Sequence, residues 1–264
     1  MKRQKESRPS RSAGLQKSQK GKSDPVVIGV IPARYGSTRL PAKALAMIHG
    51  KPMIQHVYER CLKSKLLNEV LVATDDKRIY DAVMSFGGNV VMTSRKHKSG
   101  TDRIGEAVKN IKCDIVVNIQ GDEPMISPAN IDKAIMPLLN SSVNVSTLCK
   151  KISTAAEIRN PSVVKVVKDV NGMALYFSRC PVPFNRDKNK SVTYYKHIGL
   201  YVYTKEYLSK LVQLKPSKLE LAEKLEQLRI LESGEKIMVV ETNIDSHSVD
   251  TPADLRKVRK LIRK

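Results

Sequence analysis

The chain has no tryptophan and 3 phenylalanines in 264 residues, and aromatics make up 5% of it. Bases of single-stranded nucleic acid are held by stacking on aromatic rings, so platforms for that role are scarce. No apolar run is long enough to span a bilayer, so membrane insertion is not expected. Residues 1–24 offer only Met1, Ala13 and Leu15 as apolar side chains. That excludes the hydrophobic stretch of a secretory signal and the apolar face of an organelle-targeting helix. The 4 cysteines (Cys61, Cys113, Cys149, Cys180) contain no CxxC pair, and the 5 histidines no HxxxH or HExxH spacing. A zinc site is therefore not expected, and free thiols in a reducing cytoplasm are. Neither a Walker motif nor GxGxxG occurs, so P-loop and dinucleotide readings fit poorly.

Acidic residues are also in short supply, with 26 Asp+Glu against 47 Lys+Arg and a net charge of +21. Such an excess suits nucleic acid, an anionic membrane surface or a phosphate-rich substrate. Eight of the cations lie in residues 1–24 against Glu6 and Asp24, and this segment reads as a disordered, solvated basic arm. The others do not gather on one recognition helix, which argues against nucleic acid as the partner.

The body of the chain is organised around Val26–Lys43. A short β-branched run, Val26 to Ile31, has the composition of a strand buried on both faces. It breaks at Pro32 into a loop carrying Arg34, Arg39 and Lys43, with Gly36, Ser37 and Thr38 between them. In open α/β sheets ligands sit beyond the carboxyl ends of strands, so three cations placed there suit a triphosphate. The same loop also reads as an ordinary solvated basic turn. Downstream, Ile54, Val57, Tyr58, Cys61 and Leu62 have helical spacing, and Val70–Thr74 reads as a strand. A helix with Ile79, Val83 and Phe86 closes at Gly87-Gly88, and Val90–Met92 starts another strand. Ile104, Ala107, Val108 and Ile111 mark a helix entered through Ser99-Gly100-Thr101, and Asp114–Gln120 is the next strand. This alternation predicts a doubly wound α/β fold with a largely parallel sheet.

Ser127 and Pro128 open a further helix through Ile131, Ala134, Ile135 and Leu138. Val163–Lys168 and Met173–Ser178 flank Asn171-Gly172 as a hairpin, and His197–Tyr203 alternates as a strand. Leu219, Ala222, Leu225 and Leu228 predict one helix closed near Gly234, followed by a strand at Ile237–Glu241. Thr251-Pro252-Ala253-Asp254 is a capping-box start to a last helix. Two carboxylates stand out. Asp122 lies at the carboxyl end of a central strand, and Asp250 precedes that last helix. Two carboxylates completed by phosphate oxygens are a usual way to hold Mg²⁺, and with the basic loop they point to nucleotidyl transfer. Taken singly, Asp122 is also a turn former before Pro124, and Asp250 a residue flanking a cap.

Seven blocks occur in order from Val26 to the carboxyl terminus: VIPARYGSTRLPAK, SGTDR, VNIQGDEPMI, VVKVV with GMALYFSR, KHIGLYVY, LEQLRILESGEKI and VDTPADL. Together they resemble the CMP-Kdo synthetase family, the 3-deoxy-manno-octulosonate (Kdo) cytidylyltransferases that activate Kdo for lipopolysaccharide. The resemblance implies a Rossmann-like nucleotidyltransferase sheet with a mixed C-terminal part and an inserted hairpin region. It implies one domain over residues 25–264, with a nucleotide-binding half (25–150) and a sugar-binding and dimerisation half (151–264). It further implies a cytoplasmic homodimer using CTP, Kdo and Mg²⁺. On this likeness Arg34, Arg39 and Lys43 bind the triphosphate, and Ser99, Thr101, Arg103 and Gln120 contact the nucleotide. Asp122 and Asp250 hold Mg²⁺ and, with Arg34 and Lys43, form the catalytic set. Gln120, Arg179, Arg186, His197, Tyr201, Glu226 and Gln227 hold the sugar.

Three departures from the family pattern stand out. Ala42 replaces a glycine before the lysine, Asp102 stands where Glu is usual, and the 181–196 segment is shortened, with Phe184-Asn185 in place of Trp-Asp. Competing readings are a synthetase for CMP-sialic acid or a related acidic sugar, a basic nucleic-acid-binding protein, and a catalytically inactive relative serving as an interaction protein.

Overall fold

The computed structural model describes residues 24–36, 40–140, 143–187 and 192–262. The expected basic arm, apart from Asp24, and Arg39 of the phosphate loop lie outside the described residues. The chain opens with β1 (Val27–Ala33), then a 3-10 turn (Lys43–Leu45), β2 (Met47–Ile48), β3 (Lys51–Pro52) and α1 (Met53–Cys61). Next come β4 (Glu69–Thr74), α2 (Lys77–Ser85), β5 (Val90–Met92), α3 (Gly100–Ala107), β6 (Ile115–Asn118), α4 (Pro128–Asn140) and β7 (Val145–Lys151). The second half holds α5 (Ala155–Arg159), β8 (Lys165–Lys168), β9 (Ala174–Ser178), β10 (Tyr195–Thr204), α6 (Lys205–Leu211), α7 (Lys218–Glu223), α8 (Gln227–Glu232), β11 (Ile237–Glu241) and α9 (Pro252–Leu261).

A nine-stranded sheet runs in the order β11-β7-β10-β6-β1-β4-β5, with the β8–β9 hairpin attached to the start of β10. Strands β5, β4, β1 and β6 are parallel, as the β-branched runs predict. Antiparallel β10 then sits between β6 and β7, which makes the second part mixed. Because both halves of the chain contribute strands to it, the sheet is continuous from one half to the other. On β1, Val27 and Ile31 enter one core layer while Ile28 and Val30 enter the other, the period-two consequence of burial on both faces.

Connections from β1 lead to β4 on one side, whereas β6 lies on the other. The strand order thus reverses between parallel β1 and β6, and the crevice beyond their carboxyl ends is where this class of sheet binds ligands. Gly121 allows the segment after β6 to approach β1 closely, since a Cβ there would stand 3.0 Å from the Pro32 carbonyl oxygen. A third apolar cluster, Ile48, Met53, Val249, Leu255 and Val258, seats α9 over β2. Arg259 adds a donor to the Met47 carbonyl at 2.7 Å. This packing returns the carboxyl-terminal segment to the crevice.

The expected single helix over Leu219–Leu228 is two helices. Lys224 adopts a left-handed conformation (φ 54°) between α7 and α8 and ends the first. Leu219 and Leu221 remain exposed while Leu225 and Leu228 are buried, so only the second part faces the core. In the hairpin, Asp169 Oδ1 accepts from the Asn171 and Met173 amides, each at 2.8 Å, while Gly172 supplies φ +84°. At its base, fully buried Lys165 donates to the carbonyls of Asn160, Val163 and Arg179 at 3.0, 2.6 and 2.5 Å. The ammonium is taken out of water but keeps three acceptors, the condition on which a buried cation is tolerated.

Candidate active site

Two cavities of about 300 Å³ each lie side by side at the carboxyl ends of β1 and β6, and they share Gly100 and Gln120. The first is lined by Arg34, Lys43, His97, Lys98, Asp122 and Asp250, among others. Gln120 forms the partition, and its Nε2 donates to the Gly199 carbonyl at 3.2 Å. The second is lined by Thr101, Asn118, His197, Tyr201, Glu226 and Gln227, among others.

In the first cavity Lys43 is brought inward by the turn that follows Ala42. Its Nζ lies 2.6 Å from Asp122 Oδ2 and 3.1 Å from Asp250 Oδ1. Burial opposes the charged ammonium, but Asp122 and Asp250 outweigh it and lift the lysine pKa above its ordinary value. The Asp250 end is fixed by backbone. The Val249 amide donates to the Asp122 carbonyl at 2.8 Å, and Thr251 and Asp254 form the capping box of α9. Since both carboxylates reach one cationic atom, they stand close enough to hold a single cation. Both are hard oxygen donors, and two such ligands leave positions for phosphate oxygens and water, as Mg²⁺ requires. Among the described residues no cluster of three or more His, Cys, Asp and Glu offers a denser metal site.

The cavity's other cations differ in freedom. Arg34 is exposed at the rim. Beside it, the Arg78 guanidinium carbon lies 3.3 Å from the centroid of the Tyr35 ring, while Arg78 also grips Asp76 at 2.7 and 2.8 Å. Arg103 is 4% exposed, and its guanidinium is committed to Asp75 at 2.7 Å and Thr93 at 2.5 Å, so it forms wall rather than free cation. Ser99 caps α3 by accepting from the Asp102 amide at 3.1 Å.

Tyrosines and a neutral imidazole dominate the second cavity. Tyr201 and Tyr203 stack with centroids 5.9 Å apart and planes 8° from parallel. His197 packs against Phe177 and Tyr201 at 5.2 and 5.3 Å. Desolvation pushes its pKa down to about 3, so the ring is neutral at physiological pH. The Thr147 hydroxyl donates to the Leu200 carbonyl at 2.8 Å and has one proton. It therefore accepts from His197 Nε2, 3.1 Å away, which leaves Nδ1 as an acceptor. Burial raises the Glu226 carboxyl above its usual range, against the hydroxyls of Thr101 and Ser99.

Of the residues expected to hold the sugar, Gln120, His197, Tyr201, Glu226 and Gln227 converge here, whereas Arg179 and Arg186 do not line the cavity. The Arg179 guanidinium is occupied by the carbonyls of Glu223 (2.7 Å), Pro161 (3.0 Å) and Lys224 (3.3 Å), tying the hairpin to the break between α7 and α8. Arg186 is exposed in the segment after it. Sequence reasoning overlooked Asn118, Tyr203, His97 and Lys98, and also Glu123. This buried carboxyl beside Asp122 is pushed by desolvation up to about 7, although it accepts from the Ser246 hydroxyl. The signal for Asn118 was available, because an asparagine two residues before Gln120 shares its strand face.

The profile of the cytidylyltransferase family matches residues 28–237. A 3-deoxy-manno-octulosonate cytidylyltransferase of Geotalea daltonii is 54% identical over 243 residues, covering 88% of this chain and 96% of the relative. The chain belongs to this cytidylyltransferase family. A second member, the 3-deoxy-manno-octulosonate cytidylyltransferase of Geobacter sulfurreducens, is likewise 54% identical, over 88% of this chain and 97% of its own. A solved structure of CMP:2-keto-3-deoxy-manno-octonic acid synthetase complexed with CTP superposes with a TM-score of 0.86 at 48% identity, over 89% of this chain and 98% of that one.

Proposed function

We propose that the protein transfers CMP from CTP to the anomeric hydroxyl of Kdo, giving CMP-Kdo and pyrophosphate. The observation that carries this reading is the pair of cavities meeting at Gln120, one holding Lys43 between Asp122 and Asp250, the other walled by His197, Tyr201, Tyr203, Glu226 and Gln227. CTP occupies the first, with its triphosphate towards Arg34 and Lys43 and its nucleoside against Ser99 and Gln120, whereas Thr101, expected to contact the nucleotide, lines the second. Kdo occupies the second, among Gln120, His197, Tyr201, Glu226 and Gln227. The positive balance of the chain favours the approach of both anions.

Asp122 and Asp250 would hold Mg²⁺, which when bound neutralises phosphate charge and lowers the pKa of an oxygen it touches. In the loaded site Lys43 turns from the two carboxylates to the phosphates, where with Arg34 it stabilises the charge that develops on the leaving pyrophosphate. Gln120, on the partition, orients the 2-hydroxyl of the sugar towards the α-phosphorus. The new oxygen–phosphorus bond forms as the bond to the β-phosphate oxygen breaks, and the hydroxyl proton passes to solvent. His197 positions the sugar through hydrogen bonding rather than taking that proton, because a pKa of about 3 makes it a poor base.

Exposed Val170, Leu175 and Phe184, on the hairpin and the segment after it, support pairing of two copies through that region. Unpaired Cys61, Cys113, Cys149 and Cys180 agree with a reducing cytoplasm. Among the described residues no helix is long and apolar enough to cross a membrane. The deciding assay is pyrophosphate release with Mg²⁺, CTP and Kdo, beside ATP, UTP and sialic acid as controls. Release confined to CTP with Kdo, and lost in Asp122→Ala, supports the reading. Release with sialic acid moves the chain to the other acidic-sugar activity, and release with no pair overturns it.

A further inference from the structure

Asn118 ends β6 on the floor of the second cavity. Val117 and Ile119 enter one core layer, so Asn118 and Gln120 share the opposite strand face. Across the antiparallel pairing Asn118 faces Tyr201. The residue is 5% exposed, and its Oδ1 is buried with no hydrogen-bond partner among the described residues. The Tyr201 hydroxyl is likewise buried with no hydrogen-bond partner among the described residues, whereas the other polar neighbours are engaged. His197 Nε2 is given to Thr147, Gln120 Nε2 to the Gly199 carbonyl, and Glu226 to the hydroxyls of Thr101 and Ser99. A buried amide oxygen left without a donor destabilises the fold, and such a group in a native protein calls for a physical reason.

We infer that Asn118 is a sugar-binding residue whose Oδ1 accepts a hydrogen bond from one hydroxyl of the acidic sugar in the second cavity. The inference rests on the reading that this cavity takes Kdo. An amide oxygen repels a carboxylate, so the sugar sits with its acid group turned away from Asn118 and a hydroxyl turned towards it. A site built to accept from a hydroxyl rejects the analogue that lacks it, because its own buried oxygen is then left unpaired. Asn118 thereby selects among acidic sugars by the position of one hydroxyl.

Steady-state kinetics with Kdo and its single-deoxy analogues test this in the wild type, Asn118→Ala and Asn118→Asp. The wild type is expected to lose roughly tenfold in kcat/KM, about 1.4 kcal/mol, for one deoxy analogue. Asn118→Ala should show a KM for Kdo raised by a similar factor and an unchanged KM for CTP. It should no longer distinguish that analogue from Kdo, and its melting temperature should equal or exceed that of the wild type, since an unpaired oxygen has been removed. Asn118→Asp keeps an acceptor in the same place and should keep the discrimination at weaker overall affinity. If Asn118→Ala folds but still discriminates, or if discrimination is lost in Asn118→Asp as well, the assignment is wrong. Should Asn118→Ala fail to fold, a purely structural role is indicated unless Asn118→Asp discriminates like the wild type. Failure of the wild type to turn over Kdo at all is a separate result, which overturns the proposed function and this assignment with it.

Discussion

Lys43 Nζ stands 2.6 Å from Asp122 Oδ2, and the same ammonium bridges to Asp250 at 3.1 Å. One lysine thus occupies the space between two carboxylates separated by more than a hundred residues of sequence. In the proposed reaction that space belongs to a divalent ion and the lysine belongs to the phosphates.

Competition between the two cations has a measurable consequence. Lys43→Met removes the resident charge, so Mg²⁺ should bind the nucleotide-free protein more tightly, by about two- to fivefold, the scale of one partly exposed ion pair. Turnover should nevertheless fall by about 10²- to 10³-fold, because a cation aimed at developing phosphate charge is gone. Isothermal titration with Mg²⁺ and a pyrophosphate assay read the two effects. Unchanged Mg²⁺ affinity would mean that Lys43 does not contest the ion's place.

Ala42 precedes this lysine with φ 53° and ψ 33°, a left-handed conformation that costs an L side chain about 1 kcal/mol. Ala42→Gly should therefore stabilise the protein by about 1 kcal/mol, less what glycine loses in chain entropy. Urea denaturation gives the shift in midpoint. The same substitution at Ala44, which is buried, should destabilise, so the sign of the effect reports the backbone conformation rather than the size of the side chain.

Two buried groups give stability opposite pH dependences. His197 titrates near 3 when folded and near 6.5 in the free side chain. It contributes fully above pH 6.5, and that contribution is lost as pH falls towards 3. Glu123 titrates near 7 when folded against 4.5 free. Its contribution is present below pH 4.5 and is lost as pH rises through 7. Each slope is at most about 1.4 kcal/mol per pH unit, the limit for one proton of difference between the folded and unfolded states. Urea titrations between pH 4 and 8 should show the wild type losing ground to His197→Asn on the acid side and to Glu123→Gln on the alkaline side. Parallel curves for all three proteins would contradict both assignments.

How much of this was legible in the sequence depended on where polar groups are satisfied. β11 and the capping box of α9 matched expectation because apolar side chains and cap residues announce them directly. Nothing in the sequence announces β7 as a strand. Its Ser146 and Thr147 look like loop residues, yet both are fully buried, with hydroxyls bonded to the Ala134 and Leu200 carbonyls. α6 gives little sequence signal because it is only 7 residues long and leaves β10 directly at its own cap, Thr204. The split at Lys224 was hidden because a lysine in a left-handed turn gives no sequence signal of the kind a glycine gives. At the site, residue types predicted which carboxylates and cations meet. Arg103 and Arg179 show what they omit: whether a guanidinium faces the ligand depends on which acceptors the fold has already placed around it.

The rim of the nucleotide cavity gives the last test. Tyr35 directly follows Arg34, and the Arg78 guanidinium carbon lies 3.3 Å from the centroid of its ring while the same guanidinium donates to Asp76. The stack anchors the basic loop at its first turn, so Arg34 starts from a restricted set of positions when the triphosphate arrives. Pre-organisation of this kind affects binding of the ligand that the loop touches and leaves the neighbouring cavity alone. Arg78→Ala is therefore expected to raise the KM for CTP about two- to fivefold, the range of an exposed cation–π contact, with the KM for Kdo unchanged. Tyr35→Phe keeps the ring and should behave as the wild type, whereas Tyr35→Ala should match Arg78→Ala. The double variant should be no worse than either single one, because both remove the same contact. Additive losses, or an equal rise in both KM values, would show that Arg78 acts on the fold of α2 and not on the loop.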